Sequence, residues 1–237
     1  MRRIFRRIGR LILGFLFLLV VIFGVLYIMY NEKLPEGKPG KEAEALAQKM
    51  QKAVNYEAYK NTRYFEWSFN GGNHQYKWDK ENGKVEVKWA DYMVNLNLND
   101  TTRSIVSKQL ATVSAKESRD LINTAWNYFN NDSFWLVAPF KVFDEGTERS
   151  VVTLEDGSKG LLVSYNQGGT TPGDSYLWKL QPNGFPESYQ MWVKIIPIGG
   201  TKATWDDWKV MESGVFLPTS HQIGPVTLFM GDVKAYN

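Results

Sequence analysis

The sequence predicts a mainly β protein of the α+β kind: a large curled antiparallel sheet, or unclosed β-barrel, of about eleven strands. Two helices cover it, and an N-terminal transmembrane helix precedes it. Three observations predict this. Apolar and polar residues alternate with period 2 from Tyr64 onward, between turns rich in Asn and Gly. Two stretches, Lys41 to about Tyr59 and Ser114 to Asn130, have helical period instead. The chain opens with an arginine cluster followed by 20 uncharged residues, Leu11 to Tyr30.

That opening sets the layout. At 1.5 Å per residue, Leu11–Tyr30 spans about 30 Å as a helix, the thickness of a bilayer's hydrocarbon core. Arg2, Arg3, Arg6, Arg7 and Arg10 precede it, and no acid lies among the first 30 residues. Cations flanking a span mark its cytoplasmic side. Tyr27 and Tyr30 sit at the depth of an interfacial aromatic belt. The competing reading is a cleaved signal peptide; the long apolar run, and the lack of a small-x-small pattern after it, argue for an uncleaved anchor. Residues 1–10 are then a basic cytoplasmic N-terminus and 11–30 the anchor. Residues 31–40, with two Pro and two Gly, are a linker able to hold the domain roughly 30 Å from the bilayer. Residues 41–237 form the outer domain.

Within that domain, Ala43, Leu46, Ala47, Met50 and Val54 make one apolar stripe of a first helix. Four alternating strands follow. Phe65, Trp67 and Phe69 lie on one face of the first, His74, Tyr76 and Trp78 of the second, Val85, Val87 and Trp89 of the third, and Tyr92, Val94, Leu96 and Leu98 of the fourth. Such a meander has one wet and one dry face. Trp67, Trp78 and Trp89 recur every 11 residues, a weak internal repeat. The second helix carries the stripe Leu121, Ile122, Ala125, Trp126 and Phe129; Ser114 with Glu117 fits a capping box, and Ser118 is an equally good cap. Asn130-Asn131-Asp132 ends this helix. Phe134–Phe140 is a short buried segment or edge strand. Strands resume over Ser150–Leu154, Gly160–Asn166, Ser175–Gln181, Ser188–Ile196, Ala203–Met211, Val215–Ile223 and Val226–Val233. Their short connections require antiparallel pairing in one sheet, which at that size must curl, split or close.

Composition and motifs exclude more than they assign. The 237 residues contain no Cys and two His, so disulfides, thiolate sites, a cysteine nucleophile and a lipidated N-terminal Cys are ruled out. Outside the arginine cluster, 23 cations face 25 acids, a net of −2, and no basic footprint for nucleic acid remains. Gly157-Ser158-Lys159-Gly160 is not a nucleophile elbow. The loop from Gly168 to Gly173 lacks the Lys and helix of a phosphate loop. Asp79–Gly83 reads as a hairpin turn rather than a calcium loop. Asp206 and Asp207, adjacent in a strand, point to opposite faces. Asn99 and Asn131 head glycosylation sequons, which matter only in a eukaryotic secretory host. His74 and His221 read as sheet residues. The chain is expected to be no enzyme and to need no metal or cofactor.

The surplus is aromatic and aliphatic, on one face of a sheet. By shared parity, Phe65, Trp67, Trp78, Val87, Trp89, Val94 and Leu96 lie on one side, capped by Leu121, Ile122, Trp126 and Phe129. For any single Trp a packed core is the favoured reading. Taken together, the set also suits an apolar cavity binding an acyl chain.

An N-terminal helix followed by a long meander broken by a helix resembles the bacterial lipoprotein-carrier superfamily (LolA/LolB-like). The local matches are Asp207-Trp208-Lys209, then Gly214, then Leu217-Pro218, together with the segment Asp132 to Pro139. The resemblance covers about Ala43 to Tyr236. It implies an unclosed β-barrel with helices plugging an apolar cavity, a lipid or lipoprotein acyl chain as ligand, and a periplasmic domain held at the inner membrane, with a cytoplasmic N-terminus. The chain departs from the family in having neither a cleavable signal nor a lipidated Cys, so a free shuttle is not expected. The alternative is a non-enzymatic accessory subunit of an envelope membrane complex, docking other envelope proteins with a filled core.

Topology gives the first test. Replacing Arg2, Arg3, Arg6 and Arg7 with Gln should weaken or invert the orientation, because the orientation rests on five arginines outweighing the one Glu and one Lys, Glu32 and Lys33, beyond the span. A reporter after Asn237 that is active only in the cytoplasm of the unmodified protein would contradict the assigned orientation.

Overall fold

In the computed structural model, residues 2–108, 112–168 and 170–237 are described, with side chains from Arg7 onward. Met1 of the basic N-terminus and Gly169 of the glycine-rich loop lie outside the described residues. One helix, α1 (Arg2–Tyr30), contains a 24-residue stretch, Arg7–Tyr30, long and apolar enough to cross a membrane, and none of it is buried against the domain.

The first helical stretch becomes two helices, α2 (Lys41–Ala53) and α3 (Tyr56–Asn61). The break is Asn55, at φ 61°, a left-handed conformation that Asn tolerates because its short polar side chain bonds locally. Its side chain accepts from Ala58 N at 3.3 Å and donates to Gly214 O at 2.9 Å.

The strands are antiparallel, as expected, but they divide into two six-stranded sheets rather than one. The first sheet holds β2 (Tyr64–Phe69), β3 (His74–Asp79), β4 (Lys84–Trp89), β5 (Tyr92–Asn97) and β6 (Ile105–Lys108) in sequence, with β16 (Lys234–Tyr236) beside β2. The second holds β7 (Thr147–Thr153), β8 (Lys159–Tyr165), β9 (Asp174–Leu180), β10 (Pro186–Trp192) and β11 (Thr201–Thr204), with β1 (Lys38–Pro39) on the far side of β7. Two ribbons complete the set: β12 (Lys209–Val210) with β13 (Phe216–Leu217), and β14 (Ser220–Ile223) with β15 (Val226–Phe229).

Each of the last three expected strands is interrupted for a local reason. Ala203–Met211 breaks at Asp207, φ 50°, where Ser220 Oγ donates to its carboxylate at 2.7 Å and Thr219 Oγ1 to its carbonyl at 2.9 Å. Val215–Ile223 breaks at Pro218, which has no N–H for a ladder. Val226–Val233 breaks at Gly231, where a Cβ would stand 2.0 Å from Ser68 Oγ. The pieces bridge the two sheets. Asp206 pairs with Ser220 at the end of β11, and Ser68 N of β2 donates to Met230 O at 3.0 Å just after β15. The result is a curled, unclosed wrap.

The last helix, α4 (Ala115–Val137), fills the space between the sheets. Ser114 is its cap, accepting from Glu117 N at 3.2 Å. Contrary to expectation it does not stop at Asn130. The helix continues to Val137 and a 3-10 turn over Ala138–Phe140, so Phe134–Phe140 is no strand. That segment is apolar on both sides because the end of α4 is buried all round. Leu121, Ile122, Ala125, Trp126 and Phe129 pack on the first sheet; Phe134 and Ala138 pack on the second, and Trp135 touches both cores.

The second sheet is covered on both faces. Leu161, Val163, Tyr176 and Trp178 face inward, while Val152, Leu162 and Leu177 form an outer cluster with Leu154 and Trp192. Residues 31–39 run along this outer side instead of standing free as a spacer. Lys38 pairs with Val151 and Pro39 with Ser150, and a Cβ on Gly37 would lie 2.4 Å from Ser150 Cβ. The Trp192 indole donates to Glu32 O at 2.9 Å. The strap is therefore part of the fold. A chain beginning at Lys41 should unfold at lower urea than one beginning at Asn31, by about 1–3 kcal/mol, the scale of one large apolar side chain uncovered. Equal midpoints and slopes would show that the strap contributes nothing.

Candidate functional site

The four central strands place the expected face by their register. One row across the sheet is Ala235, Phe65, Trp78, Val85 and Leu96; the next is Trp67, Tyr76, Val87, Val94 and Val106. A third row runs Phe69, His74, Trp89, Tyr92 and Lys108. The three tryptophans of the 11-residue repeat thus fall in three different rows, since antiparallel neighbours reverse direction and an equal spacing in sequence does not stack.

All eleven expected residues meet in one cluster. Phe65, Trp67, Trp78, Val87, Val94, Leu96 and Phe129 are buried; Trp89, Leu121, Ile122 and Trp126 are half-buried around them. Tyr76 and Val85 share the parity and the burial and complete the two rows. Over the centre of the face the rings touch one another. Trp67 stacks on Tyr76 with centroids 4.5 Å apart, Phe65 meets Trp78 at 5.3 Å, and Trp78 meets Phe129 edge-on at 5.4 Å. These are the contacts of a filled core. The open part of the set is its rim, where the N-terminal half of α4 crosses toward β6. A shallow hollow of about 290 Å³ lies on the opposite, polar face, beside Glu66, Gln75 and Lys234.

A polar cluster pins α4 to this face. Asp132, 2% exposed, accepts from the Tyr76 hydroxyl at 2.5 Å and lies 2.7 Å from His74 Nδ1. Asn131 Nδ2 donates to its other oxygen at 2.8 Å, and Tyr128 stacks on the His74 ring at 4.1 Å. Burial, with the Asp132 charge beside it, pushes the Tyr76 hydroxyl far up, so it stays a donor. Sequence reasoning missed this cluster. His74 and Tyr76 were legible as neighbours in rows of one face, but Asp132 lay in what read as a helix stop. Among the described residues, no group of three or more His, Cys, Asp or Glu is placed to hold a metal ion.

His221 is the other histidine, and it sits in the second core. Its Nδ1 donates to Thr204 O at 2.9 Å, and its ring packs on Trp205 at 4.6 Å and Trp135 at 5.2 Å. Burial lowers its pKa from 6.5 to about 4. The unfolded chain therefore binds a proton below about 6.5 that the folded chain refuses until about 4. Stability should fall as pH drops through that window, by at most about 3 kcal/mol from this group. His221→Phe keeps a ring in the site and should flatten that part of the pH dependence, whatever its effect at pH 8. Parallel stability curves for the two proteins between pH 6.5 and 4 would refute the assignment.

No family model matches this chain, and no curated protein matches it. A solved structure to which it is similar is the crystal structure of a DUF1329 family protein from Desulfovibrio piger, at 12% identity and a TM-score of 0.39, covering 83% of this chain and 93% of that one.

Proposed function

We propose that this chain is an inner-membrane-anchored domain on the periplasmic side that handles a lipid or lipoprotein acyl chain, as its resemblance to lipoprotein-carrier domains implies. In this reading the domain binds and presents its ligand without catalysing a reaction. The observation that carries it is the grading of the α4 stripe. Ala125 and Phe129 are buried, whereas Leu121 and Ile122, nearer the N-terminus, are half-exposed, as is Trp126 on the flank of the stripe, in the cluster that also holds Trp89 and Val106. An apolar strip thus runs unbroken from solvent to the core. The two halves of α4 are also held differently. The far half carries the Asp132 cluster; the near half has packing and, among the described residues, one long, partly exposed ion pair, Lys108 to Glu117 at 3.5 Å. Such a pair adds little. The near half is the part able to lift and admit an acyl chain between α4 and strands β4–β6.

The filled centre of the face favours a second reading, an accessory subunit that docks other envelope proteins. Fatty-acid titration separates the two. Under the first reading, a long-chain fatty acid should raise the melting temperature of the Asn31–Asn237 domain by mass action and change its tryptophan emission. Ile122→Arg should abolish both effects while costing no more than about 1 kcal/mol, since Ile122 is half-exposed. No thermal shift with any acyl ligand would leave the accessory reading in front.

A further inference from the structure

The two residues that follow α1 are bonded to one loop of the second sheet. Glu32 N donates to Gly199 O at 2.9 Å, and Gly199 N donates to Asn31 Oδ1 at 2.8 Å. Gln190 Nε2 adds a bond to the Glu32 carboxylate at 3.0 Å. The loop is 193–200, the connection from β10 to β11, and it reads Val-Lys-Ile-Ile-Pro-Ile-Gly-Gly. Its composition is unusual for an exposed turn. Ile195 is 66% exposed, and Lys194 and Pro197 are exposed beside it. At the opposite end of the same sheet the turns are polar: Glu155-Asp156-Gly157-Ser158 and Pro182-Asn183-Gly184. A residue spans at most about 3.6 Å, so Gly199 stands within about 10 Å of the end of α1.

We propose that loop 193–200 is a membrane contact, seating Ile195 and Pro197 at the boundary between headgroups and acyl chains of the bilayer that α1 crosses, with Lys194 at phosphate level. The inference rests on the reading of α1 as an anchor. The occupant is the lipid surface because the bonds from Asn31 and Glu32 hold the loop at the membrane end of the domain in every molecule. An exposed aliphatic at that depth leaves water for the interface, and a lysine beside it meets phosphate. The strands of the second sheet then stand away from the bilayer. The turn at 155–158 lies a strand's length, roughly 20 Å, farther out.

The chain has no cysteine, so single labels are clean. Ile195→Cys and Glu155→Cys, each in the full chain, are labelled with an environment-sensitive fluorophore. They are reconstituted in phosphatidylcholine–phosphatidylglycerol vesicles, some carrying headgroup nitroxides. The expected result is blue-shifted emission and strong nitroxide quenching at position 195, and neither at 155. Carbonate extraction of the same vesicles reports the anchor separately. A chain that resists extraction but shows water-like, unquenched emission at 195 overturns the loop contact and leaves the anchor standing. Equal quenching at both positions also overturns it, since the domain would then lie on its side. A chain released by carbonate overturns the anchor and the contact with it.

Discussion

Two sheets, each with an apolar face toward the interior, share one long helix, α4, while α2 adds Ala47 and Met50 over the second sheet and α3 adds Tyr59 over the first, and the rest of the structure depends on that sharing. A sheet of six strands leaves its dry face in water unless something packs on it. Here α4, 23 residues and thus about 35 Å long, reaches both faces. Phe129, past its middle, lies against Trp67 and Trp78 of the first sheet; Phe134 and Trp135, near its end, lie against Tyr176 and Tyr189 of the second. Neither sheet closes on itself, so neither supplies its own interior. The short ribbon β14–β15 completes the arrangement by hydrogen bonding toward both sheets at the end away from the β6 and β1 edges.

The two cores are held mainly by rings, and several polar atoms on those rings are buried unpaired. The indole nitrogens of Trp67, Trp78, Trp178 and Trp205 and the hydroxyls of Tyr165 and Tyr189 are buried without a hydrogen-bond partner among the described residues. Burial pushes both tyrosine hydroxyls well up. Each such group costs on the order of 1–3 kcal/mol against a paired one, which the large apolar area of the same rings offsets. Asp132 is the contrast. A buried carboxylate is tolerable only when bonded, and its partners come from β3 and from its own helix. It therefore fixes where α4 sits on the first sheet, one turn beyond Phe129, while the N-terminal half is held by packing and the partly exposed Lys108–Glu117 pair.

The strap after α1 ties the end of that helix to the domain. Residues that look like a spacer run against Leu162 and Trp192 of the outer cluster, and they begin at the loop that carries Ile195. A domain held this way has a preferred end facing the place where α1 leads.

By itself the sequence determined whatever depends on near neighbours along the chain. Period 2 sets the parity of Phe65, Trp67, Trp78, Val87, Val94 and Leu96, and turns of Asn and Gly set the pairing of β2 to β4, with Ala90-Asp91 joining β4 to β5, so the apolar face was legible residue by residue. The 20-residue uncharged run, the stripe of α4 and the Ser114 cap were legible for the same reason. Tertiary structure alone decided the rest. Parity says which side a residue faces and nothing of which element covers it, so one sheet and two are written alike. Asn130-Asn131-Asp132 reads as a stop because those residues favour turns locally, yet β3, with Tyr76 and His74 56 and 58 residues from Asp132, supplies partners that let the helix run on. The proline- and glycine-bearing strap reads as free because only the assembled second sheet offers it a strand, an indole and a loop to bond. Whether an apolar face holds a ligand or is filled is set by how far the helix descends onto the rings, a distance that no pattern of residue types encodes.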